Sequence, residues 1–433
     1  MKYFEDLGDR ILRDWLKADG DARCLHEIAG AHLSARPPCC HVSVDDIVKW
    51  AIETQRLPFQ PDLDSNFGQP PLTVYWHPGF YIEVLFWMNG TTSVHQHAFS
   101  GAFSVVEGSS LQSCYRFSRQ VHVNEHLILG DIALDHVKVL RPGSVEPIQA
   151  GPTLIHGVFH LEVPSVTVVV RTVRDECSRP QYEYHWPYVA ADPFYKDPAT
   201  TRRVQLLDLL NRMKSPRYVA AAKAALDASD FWGVLQILWA ARSHLQQDSA
   251  SFDELITAAT TVHGSRVRAV HAVIEERVRI DIITSRRAAS SDPDHRFLLA
   301  LLLNLRDRAA ILRAITNWCE TDDPCALLMR WVVQLSGTST VGVEFDELNT
   351  FVFEQLLRGV TIPDILADVE ALYSHEEVQR QRQELIRHCE SMQSSQMFRS
   401  LLDPTEVPLL LDLLANTGDV NTPLRSTVQA SSL

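Results

Sequence analysis

The sequence predicts an α+β protein: an antiparallel β-barrel with an N-terminal helical cap, followed by a separate all-α domain. Two observations lead there. Between Leu72 and Thr172, short β-branched and aromatic runs succeed one another, divided by Gly, Pro, Asn or Asp, and no helical stretch interrupts them. On either side the texture changes to apolar residues at three- and four-residue spacing, the period of a helix with one buried face. A chain of 433 residues with 45% hydrophobic and 22% charged content has enough apolar material for two or three cores.

Residues 1–56 read as the cap. Phe4, Leu7, Ile11, Leu12 and Trp15 recur at helical spacing, and Pro37-Pro38 breaks the pattern. Ser43 ahead of Asp45-Asp46 marks a new helix start, where the hydroxyl accepts from free amides and the acids face the positive end of the dipole. Residues 57–199 are the expected barrel domain. Its approach contains Asp62, Asp64 and Asn66, which alternate as in a calcium loop, but the bidentate acid such a loop needs is missing. Further on, Leu111, Ser113, Tyr115 and Phe117 alternate and are expected to face inward, which nominates the Tyr115 hydroxyl as a site group. The aromatic, proline-rich residues 173–200 are expected to pack over the barrel or join it to the helical domain. Residues 200–415 carry helix-period stripes, among them Val234 to Ala241, Leu298 to Leu305 and Ile362 to Leu372, broken at Asp292-Pro293 and Gly337-Thr338-Ser339. Residues 416–433, rich in Ser, Thr and Asn, are expected to be disordered.

Charge and cysteine usage narrow the partners. A net charge of −14 and a pI near 5.7 argue against nucleic acid or an anionic membrane. The start of the chain lacks a signal-peptide core, and no apolar run reaches the roughly 18 residues of a membrane helix. Eight cysteines are scattered without a Cys-x-x-Cys pair, as free thiols in a reducing compartment would be, so the expected location is cytoplasmic.

Chemistry gathers around Asn89-Gly90-Thr91-Thr92-Ser93-Val94-His95-Gln96-His97, between the apolar Tyr81-to-Trp87 and Gly101-to-Gly108 runs. In a strand, His95 and His97 point the same way, with Cα atoms roughly 6.6 Å apart, so two imidazoles can converge on one ion. The arrangement reads as a metal-binding β-hairpin. A third histidine, His156, comes after another Gly-Pro turn. His160 shares its face, but four strand residues separate the two by roughly 13 Å, so only one of them binds the ion unless the strand bends.

On these residues the sequence resembles the cupin superfamily, and within it the cysteine dioxygenase type of thiol dioxygenase, over about residues 80–180. The first cupin motif matches at Gly90, His95 and His97. Ser100, Gly101 and Ala102 stand where most cupins carry a glutamate ligand, which thiol dioxygenases also lack. The second motif matches at His156, with His160 in place of its Asn. The resemblance implies His95, His97 and His156 as ligands of Fe(2+), with His160 beside them. It departs in three places: no Arg lies between Pro70 and His77 to grip a cysteine carboxylate, Ala102 stands where some members have a crosslinked Cys, and Arg171 falls near the family's active-site Tyr. Arg171 is the candidate cation on the opposite wall. The expected function is that of a non-haem iron dioxygenase, an oxidoreductase taking O2 and a small thiol or other chelating metabolite, with His160, Tyr115 and Arg171 around the reactants. The same residues leave open Zn, Mn or Ni in the ligand set, a zinc-dependent hydrolase or isomerase, and a ligand- or metal-sensing barrel whose helical domain binds a protein partner or a second copy.

Overall fold

A computed structural model describes residues 1–88, 90, 92–173, 180–336, 345–372, 375–393, 395–402 and 407–415. The expected disordered tail, Cys177 and the break at Gly337 lie outside these residues. The cap consists of α1 (Lys2–Lys17), α2 (Leu25–Ala35) and α3 (Val44–Glu53). Ser43 starts α3 as its sequence indicates: its Oγ accepts from Asp46 N at 3.1 Å, and the Asp46 carboxylate accepts from Ser43 N at 3.3 Å.

Among the described residues, eleven strands come next: β1 (Pro71–Trp76), β2 (Phe80–Trp87), β3 (His95–His97), β4 (Gly101–Glu107), β5 (Ser110–Asn124), β6 (Leu127–Leu140), β7 (Val145–Ile148), β8 (Gly151–His160), β9 (Ser165–Thr172), β10 (Glu183–His185) and β11 (Val189–Ala191). They form a five-stranded sheet in the order β1-β2-β9-β4-β7 and a closed ring in the order β10-β11-β6-β5-β8-β3, with antiparallel pairing throughout. This is the α+β, cupin-like architecture the sequence predicts.

The five-stranded sheet is covered on both faces. Ile82, Val84 and Phe86 meet Phe4, Leu7 and Ile11 of the cap, while Leu85 and Trp87 meet Phe103 and Val169 inside the barrel. A strand buried on both sides is apolar at nearly every position, which is why Tyr81 to Trp87 reads as a continuous run instead of an alternation. Packing of β4 on β9 needs Gly101, because a Cβ there would stand 1.9 Å from Val170 O.

Two expectations are corrected. His95 and His97 are not part of a hairpin with the Tyr81-to-Trp87 run. Both hydrogen-bonding edges of β2 are already taken by β1 and β9, so the chain crosses after Gly90 to the other sheet, where β3 pairs with β8 and β10. The aromatic bridge does more than cover the barrel: its Glu183–His185 and Val189–Ala191 strands complete the ring.

The helices are α4 (Pro198–Arg212), α5 (Tyr218–Asp227), α6 (Phe231–His244), α7 (Ser249–His263), α8 (Val267–Ala289), α9 (Pro293–Asn304), α10 (Arg308–Cys319), α11 (Pro324–Ser336), α12 (Glu347–Arg358), α13 (Ile362–Leu372), α14 (His375–Gln393), α15 (Arg399–Leu402) and α16 (Leu410–Ala415). Aspartates at 197, 230, 248, 292, 307 and 346 cap six of them by accepting backbone N–H bonds. Strand gives way to helix near residue 200, but compact units divide later, into Met1–Glu276 with a returning segment from Pro408, and Arg277–Val407. Within the first unit the return is anchored on the barrel: Tyr188 Oη donates to Pro408 O, and Asp131 Oδ1 accepts from Leu410 N at 2.8 Å. No described helix is long and apolar enough to cross a membrane.

Candidate metal centre

β3 and β8 lie side by side with His95 opposite His156, so backbone pairing itself delivers the third histidine to the first two. The possible ligand atoms of His95, His97 and His156 all lie within 4.8 Å of one another. Ring centroids are 4.6 Å apart for His95 and His97, 5.1 Å for His95 and His156, and 5.0 Å for His97 and His156. All three side chains are buried. His160 stands apart from this group, with its ring stacked on Trp87 at 4.8 Å and Nδ1 at 2.9 Å from Ser110 Oγ.

The hydrogen bonds around the three rings suit a cation. His95 Nδ1–H donates to Ser93 O at 2.7 Å, which leaves the lone pair on Nε2, and that atom is buried with no partner. Such an orphaned acceptor costs about 1–3 kcal/mol, a penalty that a bound ion removes. His97 Nε2 and His156 Nε2 face each other at 2.9 Å. His156 Nδ1 lies 2.8 Å from Gln112 Nε2, and Gln112 Oε1 is a second buried atom without a partner. With the amide turned, Oε1 accepts from Nδ1–H and the His156 lone pair moves to Nε2, toward its two neighbours. Burial holds the pKa of His95 below its usual value, and burial together with neighbouring imidazoles holds those of His97 and His156 well below it. Neutral imidazole is the ligating form, so the donor set fits a transition metal ion. Among the described residues no carboxylate joins the three imidazoles as a ligand group, and at the positions after His97 Gly101 has no side chain and Ala102 packs into the cap side of its sheet.

The rings open on a small cavity between the two sheets. Its walls are mainly apolar, with Leu85, Phe99, Phe103, Ile148 and Val169 among them, and Arg171 and Glu83 face each other across β9 and β2. Arg171 Nη1 is 3.3 Å from Glu83 Oε1, its guanidinium lies 3.8 Å from the centre of the Phe99 ring, and its Nε is buried without a partner. Burial pushes the Glu83 carboxyl pKa up while Arg171 opposes the shift.

Of the residues singled out from sequence, His95, His97, His156, His160 and Arg171 line this cavity, and Tyr115 does not. Tyr115 packs with Ile128, Ile132, Ile155 and Tyr184 in a separate cluster. The inward phase of β5 is the opposite one, carried by Ser110 and Gln112, and the register slips between Cys114 and Tyr115. Three further residues escaped sequence reasoning: Glu83, Gln112 and Phe67. Glu83 carried a usable signal, being the single charge in an otherwise apolar run.

No protein-family model matches the sequence, and no curated protein matches it. Solved structures are similar over part of the chain. One, from crystal structures of the DMSP lyases RdDddP and RnDddQII, is 15% identical, with 38% of this chain and 80% of that chain covered and a TM-score of 0.22. Another, an uncharacterized conserved protein with a double-stranded β-helix domain from Klebsiella pneumoniae, is 15% identical over 32% of this chain and 98% of that one, with a TM-score of 0.19. A third, an oxalate oxidase, is 15% identical over 36% and 73%, with a TM-score of 0.20. The cupin-like character of the barrel rests on its own strand arrangement.

Proposed function

We propose that this protein is a metal-dependent cupin enzyme whose His95, His97 and His156 hold a mononuclear iron(II) ion. On this reading it is a dioxygenase of the thiol dioxygenase kind, acting on a small thiol or another chelating metabolite. The observation that carries the reading is the convergence of three buried, neutral imidazoles with no carboxylate in the set, one of them with an orphaned Nε2. Iron(II) held by these three neutral imidazoles would keep its full charge and would supply a centre able to take a chelating substrate and O2 together.

The chain's own residues do the rest. Ser93 O fixes the His95 tautomer, and Gln112 fixes that of His156. Arg171 meets negative charge on the substrate, since Glu83 occupies Nη1 and the guanidinium keeps donors to spare. His160, held by Ser110 and Trp87, would hydrogen-bond the reactants, while Tyr115 packs in a separate cluster away from the cavity. Leu85, Phe99 and Phe103 exclude bulk water.

Metal content of protein purified without added metal, followed by O2 uptake after anaerobic iron loading with panels of thiols and β-diketones, tests this. One iron per chain and uptake abolished in His95→Ala are expected. Stoichiometric zinc with no uptake on any substrate overturns the dioxygenase assignment.

A further inference from the structure

Residues 61–68 are held at both ends by glutamine side chains. Gln60 uses its amide as a substitute peptide beside β1: Nε2 donates to Thr73 O and Oε1 accepts from Thr73 N, both at 2.9 Å. At the other end Gln69 N donates to Phe86 O at 2.6 Å, and Gln69 Oε1 accepts from Met88 N at 3.1 Å. The hydrogen bonds between these pins are local turns, Asp64 N to Asp62 Oδ1 and Phe67 N to Ser65 Oγ, each 3.2 Å. Nearly every side chain from 61 to 67 is exposed, Leu63 to 85%. Gly68, with φ of +92°, sits beside the second pin, where a Cβ would come within 3.0 Å of Leu85 Cδ2. Two firm anchors, a glycine joint and a span bonded only to itself give the stretch a low opening cost compared with the sheets.

This span carries Phe67 into the cavity wall. Its ring stands edge-on to Trp87 at 5.1 Å and lies 6.1 Å from the His95 ring, yet it is 42% exposed. One edge of the ring therefore belongs to the cavity and the other to solvent. A large apolar side chain left in that position gains by closing over apolar matter beneath it.

We infer that residues 61–68 are a flap and that Phe67 on it selects what reaches the three histidines, admitting compact molecules with an apolar body and closing on that body. The inference rests on the cavity being the ligand site proposed above. It adds a specificity-determining residue and the segment that moves it.

Access is measured directly on metal-free, full-length protein with diethylpyrocarbonate, which acylates neutral imidazoles, with mass-spectrometric mapping of the labelled histidines. The half-exposed His136 serves as the internal reference. Phe67→Ala is expected to raise labelling of His95, His97 and His156 relative to His136 by about tenfold, and Gln60→Ala, which loosens a pin without touching the cavity, by about threefold. Phe67→Trp is expected to slow it. An unchanged relative rate in either alanine variant overturns the flap. Because labelling needs no ion, failure of the metal reading shows itself separately, in a Co(II) titration of the wild-type protein.

Discussion

Gln112, His156 and His97 form one hydrogen-bonded chain with the His95 ring beside it, so the chemistry is tested one side chain at a time. Gln112→Leu removes the hydrogen-bond partner of His156 Nδ1, and metal affinity is expected to fall by roughly 10–100-fold, read by competition with a chelator. Gln112→Glu, which places a carboxylate on the same proton, is expected to keep or raise it. Protons compete for the same lone pairs. Each histidine has a folded pKa below its usual value, so below about pH 6.5 the unfolded chain binds more protons than the folded one. Stability of the metal-free protein is therefore present above that pH and lost as pH falls toward the folded values, by at most about 1.4 kcal/mol per histidine per pH unit. Urea denaturation from about pH 7.5 to about pH 5 checks this, and His156→Leu is expected to flatten the slope.

At the scale of elements, β4 and β9 approach so closely that only glycine fits at position 101. Gly101→Val is expected to cost about 3 kcal/mol or more in urea unfolding, because strand backbones must separate to make room. By contrast Gly30→Ala, within α2 and with open space around its Cβ, is expected to gain about 0.5–1 kcal/mol. The cap helices were legible in the sequence because a helix on a sheet needs one apolar stripe, and Ser43 announced its own start. That His95 and His97 would come together was legible because strand alternation puts residues 95 and 97 on one face. Their sheet was not, since nothing local to residues 88–94 records that both edges of β2 are taken by distant strands. Nor was the phase of β5, where Ser113 and Gln112 are equally plausible inward residues until the partner strand is known. Gln112 meets His156 through a pairing of strands far apart in the chain, and Phe67 meets Trp87 and His95 only once the sheets have closed, so no local pattern encodes either.

At the scale of the whole molecule, the three proposed ligand histidines all belong to the unit containing residues 1–276. Metal bound at about 100 times its dissociation constant adds about 2.7 kcal/mol to that unit alone. Calorimetry of loaded and chelated protein is expected to show one transition moving and the other staying, and the shift is expected to vanish in His95→Ala. The order of the chain in space carries a separate consequence. Residues 277–407 begin and end within a barrel-bearing unit that resumes at Pro408, so they form an insert closed at both ends and not a tail. Stopping translation at residue 276 would strip Asp131 of the amide it caps and Tyr188 of its carbonyl acceptor. Anyone wishing to isolate the barrel must therefore excise the middle and rejoin the flanks, since a single truncation discards a piece of the very body it is meant to keep.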